Sequence, residues 1–383
     1  MVDHRINYSM WGFSICFCMN ISIYRSASEL GYLSDEWNEL LVHSDSNSIF
    51  LTWEWMSVWL GIHADKNIFV VAVRDEENRL IGIAPFYVVT MRLLKVIGYK
   101  VLQIIGDAES GAEYPDFIVR KGSEKLALDA IAHALESNQS QWDCMWIRRV
   151  SGWSGACDRI KYVCDKSNLI YRDRPHVFCG FALPSEFSEY QKGMSKNRKQ
   201  QLRRQSKKVF KGEDVSVVEC RELAEVDDYL NQLFDLSSRR WSSIGLKGAF
   251  EKYSRMKNFY REFIPVALEK GWLLLMAIRN GGDLKSIQLG YVYDGNFLQL
   301  QEGFDPEYVD GAGNVLRLEV IQKCIEDGVT YYDFLGGSSE HKRRWGGKER
   351  FGVDLLAGKV SWKNRILFFK EVWPTGKFME VVS

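Results

Sequence analysis

The 383-residue sequence has no excess of charge of either sign, because 50 lysines and arginines are balanced by 50 aspartates and glutamates. A protein that binds nucleic acid generally carries a basic excess that neutralises phosphates. The balance argues against a general nucleic-acid-binding function and against DNA as a partner. Local basic patches can still bind anions.

The sequence also lacks any C-x-x-C pair and any cluster of cysteine with histidine. Its eight cysteines are scattered, at Cys16, Cys18, Cys144, Cys157, Cys164, Cys179, Cys220 and Cys324. This distribution argues against a structural zinc site and favours reduced thiols over disulfides. We therefore predict a cytoplasmic protein that holds no metal.

No stretch reaches the run of about 18 apolar residues that a membrane-spanning helix requires. The N-terminal stretch Trp11–Cys18 is apolar. It lacks the basic start, the long apolar core and the small-residue cleavage site of a signal peptide. We expect residues 1–19 to be an extension outside the folded core.

The rest of the chain repeats one pattern, and its 46% hydrophobic content is enough to bury a sizeable core. In the first half, two apolar runs in residues 68–89 flank a charged turn at Asp75–Asn78. In the second half, three apolar runs begin at Trp272 and are separated by turns at Asn280–Asp283 and Asp294–Asn296. Both patterns predict antiparallel strands joined by tight turns.

Helical patterns flank both meanders. They cover Ser34–Leu41, Trp53–Leu60 and Ser123–Glu136 in the first half, and Ala224–Leu236, Phe250–Lys270 and Val315–Asp327 in the second. In each half the last helix precedes another strand-like run. We therefore predict an α/β fold with mixed sheets, in two similar domains at 20–170 and 171–383 that join near Ser167–Pro175.

A glycine-containing loop leads into the last of these helices. Gly311 and Gly313 allow a ligand to approach the backbone closely, Asn314 can cap the helix, and the helix is predicted to begin at Val315. The free N–H groups at a helix N-terminus can bind phosphate. An ordinary capped turn would look the same in the sequence.

Two carboxylates could take part in catalysis. Glu302 ends a strand of the second meander, where partial burial could raise its pKa and suit it to act as a general base. The alternative is a strand-end residue that pairs with an arginine. Asp333 lies in an apolar strand before Gly336-Gly337, and Lys342 or Arg343 could pair with it as catalytic or purely structural partners.

Two basic stretches could bind substrate. Between Lys196 and Lys208 the chain contains many lysines and arginines and no acidic residue, with Arg203 and Arg204 at its centre. Arg240 and Trp241 end a helical pattern, where a cation beside an indole can form a stacking platform. The alternatives are a solvated helix face and a helix end packed on the core.

The order of these motifs resembles the CelD/BcsL-type acyltransferases of the GNAT superfamily, which are related to the Fem-type peptidoglycan aminoacyltransferases. The resemblance rests on "KNRKQQLRR", "RRW", "GFDPEY" and "YDFLGG…EHKRRWG", and in the first half on "EWNELL", "FLTWEWMSVW" and "LIGIAPF". It covers about Ile21–Gly358. The family usually has a tyrosine where this chain has His341.

The resemblance implies two tandem GNAT-like domains, with the active site in or beside the second. It places the pyrophosphate of acyl-CoA on the loop that contains Gly311 and Gly313. The segment with His341, Lys342, Arg343 and Trp345 would then line the acceptor side. No permanently bound cofactor is expected, because the acyl thioester is a co-substrate.

The predicted reaction is N-acyl transfer from acyl-CoA or acyl-carrier protein to an amino group of a sugar or another cell-envelope or polysaccharide precursor. This acceptor could be a small molecule or lipid-linked, and the basic helix could touch a membrane surface. Two alternatives remain. One is a Fem-like transferase that uses aminoacyl-tRNA, and the other is a non-catalytic binding module on the same fold.

Overall fold

The computed structural model describes residues 4–6, 19–107, 109–212, 214–369 and 379–381. The chain divides into two compact units. The first comprises Met1–Ala108, Ala112–Val177 and Phe351–Ser383, and the second comprises Glu109–Gly111 and Phe178–Arg350. Most of the predicted extension at 1–19 lies outside the described residues, although His4–Ile6 forms a short strand.

The first unit is built from strands and helices of both halves of the sequence. Its strands are β1 (His4–Ile6), β2 (Met19–Tyr24), β3 (Asn67–Arg74), β4 (Leu80–Leu93), β5 (Ile97–Ile104), β6 (Ile118–Val119), β7 (Cys144–Ser151), most of β14 (Lys348–Gly358), and β15 (Met379–Val381). Its helices are α1 (Ala27–Leu30), α2 (Ser34–Val42), α3 (Trp53–Ile62), α4 (Glu124–Ser137), α5 (Ala156–Lys166) and α13 (Trp362–Phe369), with 3₁₀ turns at Gly31–Leu33 and Ile49–Leu51.

The sheet of the first unit has the order β1-β2-β3-β4-β5-β7-β14, and β6 and β15 also pair with β4. Its neighbours are antiparallel except β5 and β7, which are parallel. Strand β3 is buried along almost its whole length because apolar residues follow one another without alternation. Helix α4 can approach β4 closely because Gly82 has no side chain; a Cβ there would lie 2.9 Å from the Cβ of Ala127.

The second unit contains the remaining elements. Its strands are β9 (Val215–Glu219), β10 (Leu273–Asn280), β11 (Asp283–Tyr293), β12 (Asn296–Phe304) and β13 (Tyr331–Gly336), and β8 (Ile170–Ala182) contributes its residues from Phe178 onward. Its helices are α6 (Phe187–Gly193), α7 (Lys196–Val209), α8 (Val226–Ser242), α9 (Ala249–Lys252), α10 (Met256–Glu269), α11 (Ala312–Glu326) and α12 (Glu340–Arg343), with a 3₁₀ turn at Leu223–Glu225.

Its sheet has the order β8-β13-β12-β11-β10-β9. Strands β10, β11 and β12 form an antiparallel meander, and β13 then returns parallel to β12 after the crossover helix α11. Helix α11 covers the sheet with a buried apolar face that includes Val315, Val320 and Ile321. The same order of meander, helix and parallel strand occurs in the first unit as β3-β4-β5, α4 and β7.

The predicted α/β class, the mixed sheets and the repeated meander are confirmed. The boundaries 20–170 and 171–383 remain a prediction about folding domains. The polar stretch predicted to join the two halves, Ser167–Pro175, runs into strand β8. Among the described residues no helix is long and apolar enough to cross a membrane, and no group of side chains is arranged to hold a metal ion.

Candidate active site

The second unit opens where two parallel strands separate. Strand β12 pairs with β13 through Asn296–Leu298, opposite Tyr331–Asp333, and the strand pairs of the described chain do not continue beyond this point. The later residues of β12 lose their β13 neighbours. Their backbone N–H and C=O groups on that edge therefore have no strand partner there.

A β-bulge lies at the same place on β12. The register with β11 passes from Leu289↔Gln301 to Gly290↔Gln299, so Leu300 is an additional residue in β12. Gly290 permits the bulge, because a Cβ there would overlap the ring of Phe297. Bulges commonly redirect the backbone beside active sites.

A cleft of about 640 Å³ occupies this opening. Its volume is in the usual range for a small-molecule site. The residues discussed below that line it are Arg240, Trp241, Ser286, Gln288, Gln299, Glu302, Phe304, Gly311, Gly313, Asn314, Arg317, Phe334, His341 and Lys342.

The N-terminus of helix α11 forms one side of the cleft. The helix begins at Ala312, three residues before the predicted start, because Gly311 takes a left-handed conformation with φ of 89° and becomes the N-cap. Asn314 therefore does not cap the helix. The backbone N–H groups of Asn314 and Val315 both donate to the carbonyl of Gly311, at 2.9 and 3.0 Å.

The two glycines of this loop have different surroundings. A Cβ at Gly311 would collide with the side chain of Gln205, so this glycine allows helix α7 to pack against the loop. A Cβ at Gly313 would meet Phe304 Cδ1 at 3.6 Å and Ser286 Oγ at 3.9 Å, which are ordinary contacts. The backbone at Gly313 is therefore the part of the predicted cofactor loop that a ligand in the cleft can approach. Val315 is fully buried.

Glu302 lies in the cleft between two arginines. Its Oε1 accepts a hydrogen bond from Arg240 Nη1 at 2.7 Å, and its Oε2 pairs with Arg317 Nη2. Gly303 makes the first contact possible, because a Cβ there would lie 2.9 Å from the Cβ of Leu236 and would push α8, which carries Arg240, away from β12.

The pKa expected for Glu302 was wrong in direction. Burial alone would raise the pKa of this carboxyl, but the charges of Arg317 and Arg240 outweigh burial and lower the pKa to about 2. The ion-paired alternative therefore describes its state. Its role as a general base remains a prediction.

Arg317 is a central residue of the site that the sequence analysis missed. It lies on α11, is only 3% exposed, and also donates from Nη1 to His341 Nε2 at 2.5 Å. Since a guanidinium cannot accept a hydrogen bond, His341 Nε2 must be unprotonated and the proton of the neutral ring must be on Nδ1. Burial and the charge of Arg317 lower the pKa of His341 to about 4. A single arginine within an apolar helical face could have revealed this residue.

Hydrogen-bonded side chains connect Glu302 with the centre of the sheet. Gln299 Nε2 donates to Glu302 Oε2 at 3.2 Å, and the Tyr332 hydroxyl donates to Gln299 Oε1 at 2.8 Å. Gln288 Nε2 donates to the same hydroxyl at 2.6 Å. Burial raises the pKa of Tyr332 well above its ordinary value, so this phenol is protonated at neutral pH. The network fixes the orientation of the Glu302 carboxylate.

The turn after β13 is held by a lysine. Lys342 Nζ donates to the carbonyl oxygens of Phe334, Gly336 and Gly337 at 2.9, 2.7 and 2.9 Å. Gly337 has φ of 82°, which lets the chain turn and aim these carbonyls at one ammonium group. The double glycine thus allows three carbonyl oxygens to surround the Lys342 ammonium group at the edge of the cleft.

Asp333 and Arg343 have contacts outside the cleft. Asp333 is buried, and its Oδ1 accepts a hydrogen bond from the N–H of Leu335 at 2.8 Å. Arg343 pairs with Glu340 and Glu349 at 3.4 and 3.3 Å. The catalytic role predicted for Asp333 remains a prediction.

The basic helix α7 has a buried face and an exposed face. Leu202, Gln205 and Val209 are buried, whereas Arg203 and Arg204 are exposed and line neither the cleft nor the groove described below. Their contact with substrate remains a prediction. On the same helix, Arg198 stacks over the ring of Trp345 at 4.3 Å and reaches Asn314 Oδ1 at 3.5 Å.

The aromatic residues predicted to bind substrate lie in two places. Trp241 lines the cleft, where the guanidinium of Arg240 lies 5.4 Å from its ring centre. Trp345 is 1% exposed and lines a second groove of the same unit. The structure therefore brings Arg240, Trp241, His341 and Lys342 to the cleft with Glu302, and places Arg343 and Trp345 on the other groove.

Comparison with known proteins finds a family match within the second unit. Residues 196–343 match the model of the Acetyltransferase (GNAT) domain. This range contains the meander, the bulge, the cleft and helix α11. No curated protein matches the chain.

Solved structures match almost the whole chain, at low sequence identity. FemX is 11% identical with a TM-score of 0.61, and the match covers 88% of this chain and 98% of that one. The C-terminal domain of a protein named as a lysylphosphatidylglycerol synthetase, from Agrobacterium fabrum, is 11% identical with a TM-score of 0.53, over 90% and 96% of the two chains. L-PGS from Bacillus licheniformis is 13% identical with a TM-score of 0.51, over 88% and 96%.

At these identities the structural matches establish the fold and leave the substrate open. The family match is more informative, because it covers the separated strands and the helix that follows them. Residues 196–343 are therefore similar to the GNAT acetyltransferase domain, and the chain shares its fold with the solved structures.

Proposed function

We propose that the protein transfers an acyl group from a thioester, acyl-CoA or acyl-carrier protein, to an amino group of a sugar or another cell-envelope precursor. One observation carries the proposal: the cleft between the separated strands of the GNAT domain meets the α11 N-terminus at Gly313, where the backbone is accessible. The site can therefore hold a phosphate-bearing thioester with its acyl group between β12 and β13.

The donor would bind through backbone groups. Phosphates suit the start of α11, where the Gly313 N–H and the helix dipole favour anions. The thioester carbonyl suits the edge of β12 beyond Leu298, where N–H groups lack a β13 partner. Such donors can stabilise the oxyanion of the tetrahedral intermediate.

The acceptor must attack as a neutral amine. The paired Glu302 is a weak base, since its pKa is about 2. We propose that Glu302 instead holds Arg240 and Arg317 in place, and that these two positive charges lower the pKa of an acceptor ammonium bound near them. The released proton would pass to water, and the thiolate leaves without needing an acid. No covalent intermediate is required.

The charge of the cleft bears on the aminoacyl-tRNA alternative. An aminoacyl group carries its own ammonium, which would face Arg240 and Arg317. Both oxygens of Glu302 are already bound to these arginines. The arrangement favours an acyl group without a positive charge, and we keep aminoacyl-tRNA as the second candidate because the fold resembles FemX.

Native mass spectrometry against acyl-CoAs, acyl-carrier protein and charged tRNA tests the donor. Thiol release in the presence of amino sugars then tests the reaction. Binding of an acyl-CoA or acyl-carrier protein, with amine-dependent thiol release, is expected. Binding of charged tRNA alone would replace the proposal with the second candidate, and thioester binding without turnover on any amine would favour a non-catalytic module.

A further inference from the structure

The second unit contains another groove, of about 700 Å³, whose lining residues are separate from those of the cleft. We propose that this groove binds a phosphoryl anion attached to an aromatic or apolar group. The inference deepens the proposed function, since such a group would be the phosphorylated part of one of the two substrates.

Positive charge dominates the groove. Four cations line it: Arg198, Arg343, Arg344 and Lys348. Among the described residues of the lining, Glu189 is the one acidic side chain. The salt bridges from Arg343 and Arg344 to Glu340 are exposed and therefore weakly held. An anion that enters the groove can thus draw Arg343 and Arg344 away from Glu340 with a small loss of free energy.

Two N–H groups in the wall have no acceptor within the described part of the protein. They are Arg198 Nε and Trp345 Nε1, and both are buried. Trp345 is 1% exposed, and the guanidinium of Arg198 lies 4.3 Å from its ring centre. Buried donors are normally satisfied. Neither nitrogen has accessible surface as the side chains stand, so an oxyanion in the groove would accept from them after a small movement of Arg198 or Trp345.

Aromatic rings form another part of the wall. Phe181 and Tyr190 stack with ring centres 5.7 Å apart, and the Tyr190 hydroxyl donates to the carbonyl of Trp345 at 2.9 Å. This contact ties α6 to the segment that carries the cations. Rings beside arginines favour a ligand that has a planar or apolar group next to its anion.

The groove lies next to the cleft within the same unit. The segment around α12 lines both: His341 and Lys342 face the cleft, whereas Arg343, Arg344 and Trp345 face the groove. A ligand anchored in the groove is therefore close to the site of transfer. Its phosphoryl group could belong to a nucleotide on the acceptor or to the adenosine end of the donor.

Titration calorimetry with UDP, 3′,5′-ADP and inorganic pyrophosphate distinguishes these sources. Wild type is compared with the double variant Arg344→Ala/Lys348→Ala, whose exposed side chains can be removed without disturbing the core. The control is Lys211→Ala/Lys252→Ala, which removes two exposed charges of the same unit outside both cavities.

We expect at least one nucleotide to bind more tightly than pyrophosphate, and its dissociation constant to rise about tenfold in the groove variant while the control matches wild type. Preference for UDP assigns the groove to the acceptor, and preference for 3′,5′-ADP assigns it to the donor. Absence of binding by all three probes, or equal losses in both double variants, would overturn the inference.

Acetyl-CoA turnover is measured in parallel to separate the two proposals. If wild type turns over acetyl-CoA and binds none of the probes, the groove inference fails and the proposed function stands. If the probes bind through the groove and no thioester binds or reacts, the proposed function fails and the groove stands.

Discussion

Glu302 is held by arginines on both oxygens, so its chemistry differs from that of a typical general base. A base works best with a pKa near the working pH. With a pKa of about 2, Glu302 is ionised at neutral pH and has little affinity for a proton. Its charge is therefore better suited to position cations than to remove a proton.

Glu302→Gln tests this distinction. We expect kcat to fall because Arg240 and Arg317 lose their anchor, while the pH profile of the remaining activity keeps its shape. If Glu302 were the base, the substitution would lower kcat by about 10²–10⁴-fold and would remove one limb of the pH profile. The pH dependence of kcat, measured from pH 5 to 9 for both proteins, gives the answer.

The same substitution should alter acid stability in a defined window. Since the pKa of Glu302 is lowered from 4.5 to about 2, its stabilising effect is present above 4.5 and is lost as the pH falls toward 2. Glu302→Gln should therefore flatten the pH dependence of Tm in this window. Glu36→Gln is the control for activity, because Glu36 pairs with Arg74, at 2.6 Å, away from the cleft; its kcat should equal that of wild type.

His341 should remain neutral well below the pH at which histidine usually gains a proton. Burial and Arg317 lower its pKa to about 4, so an NMR titration should show the neutral ring protonated on Nδ1 at pH 6. Arg317→Gln should move the midpoint toward the ordinary value. A wild-type midpoint near 6.5 would contradict the arrangement of Arg317 and His341.

Sequence reasoning could identify most of these residues but not how they pair. Glu302, Arg240 and His341 stand out as polar residues beside strand and helix ends. Arg317 is marked as the single arginine of an apolar helical face, but that face does not indicate which residues it contacts. Its value to the site depends on β12 supplying Glu302 opposite it, which is a tertiary contact without a local signal.

At the scale of elements, the first turn of α11 makes the clearest prediction. Gly313→Val should be accommodated by the helix, since a Cβ there makes ordinary contacts, but its methyl groups would extend toward Phe304 and the cleft. We expect the dissociation constant for acyl-CoA to rise about tenfold, the cost of losing a hydrogen bond to a charged group. Calorimetry on the folded variant measures it.

The control for Gly313→Val is Gly61→Val in α3, where a Cβ would have no atom within 4 Å. It tests the general cost of a branched residue in a helix. Equal affinities for all three proteins would show that the α11 N-terminus does not hold the donor.

The sequence predicts elements well where patterns are local. The meander strands follow from apolar runs between turn residues, and β10, β11 and β12 form where expected. The predicted start of α11 is three residues too late, because the left-handed Gly311 initiates the helix before Asn314, the predicted cap. The separation of β12 from β13 could not be predicted, because parallel pairing depends on residues far apart in the sequence, such as Asn296 and Tyr331.

At the scale of the whole molecule, each unit contains a short parallel strand pair, but the space beyond that pair differs in size between the units. In the first unit β5 and β7 are also parallel, and the described pairs join Val101 to Cys144 and Leu102 to Met145. The space beyond them is a cavity of only about 30 Å³. Buried side chains line it, among them Gln103 and Trp146.

We therefore predict one thioester site per chain. Calorimetry with a non-hydrolysable acyl-CoA analogue should give a stoichiometry close to one, because about 30 Å³ in the first unit cannot admit an acyl-pantetheine arm whereas about 640 Å³ in the second can. A stoichiometry of two, or binding that survives in a variant with a blocked second-unit cleft, would contradict this prediction.

Lys342 adds a consequence for the lifetime of such an enzyme. A lysine that lines a thioester site is exposed to the thioester, and an unprotonated side-chain amine there would attack it and become acylated. Lys342 Nζ donates a hydrogen bond to each of three carbonyl oxygens of its own chain, which takes all three N–H groups of an ammonium, and an ammonium nitrogen has no lone pair to attack with. If the proposed function holds, the turn built by the double glycine would therefore protect the protein against acylation by its own substrate.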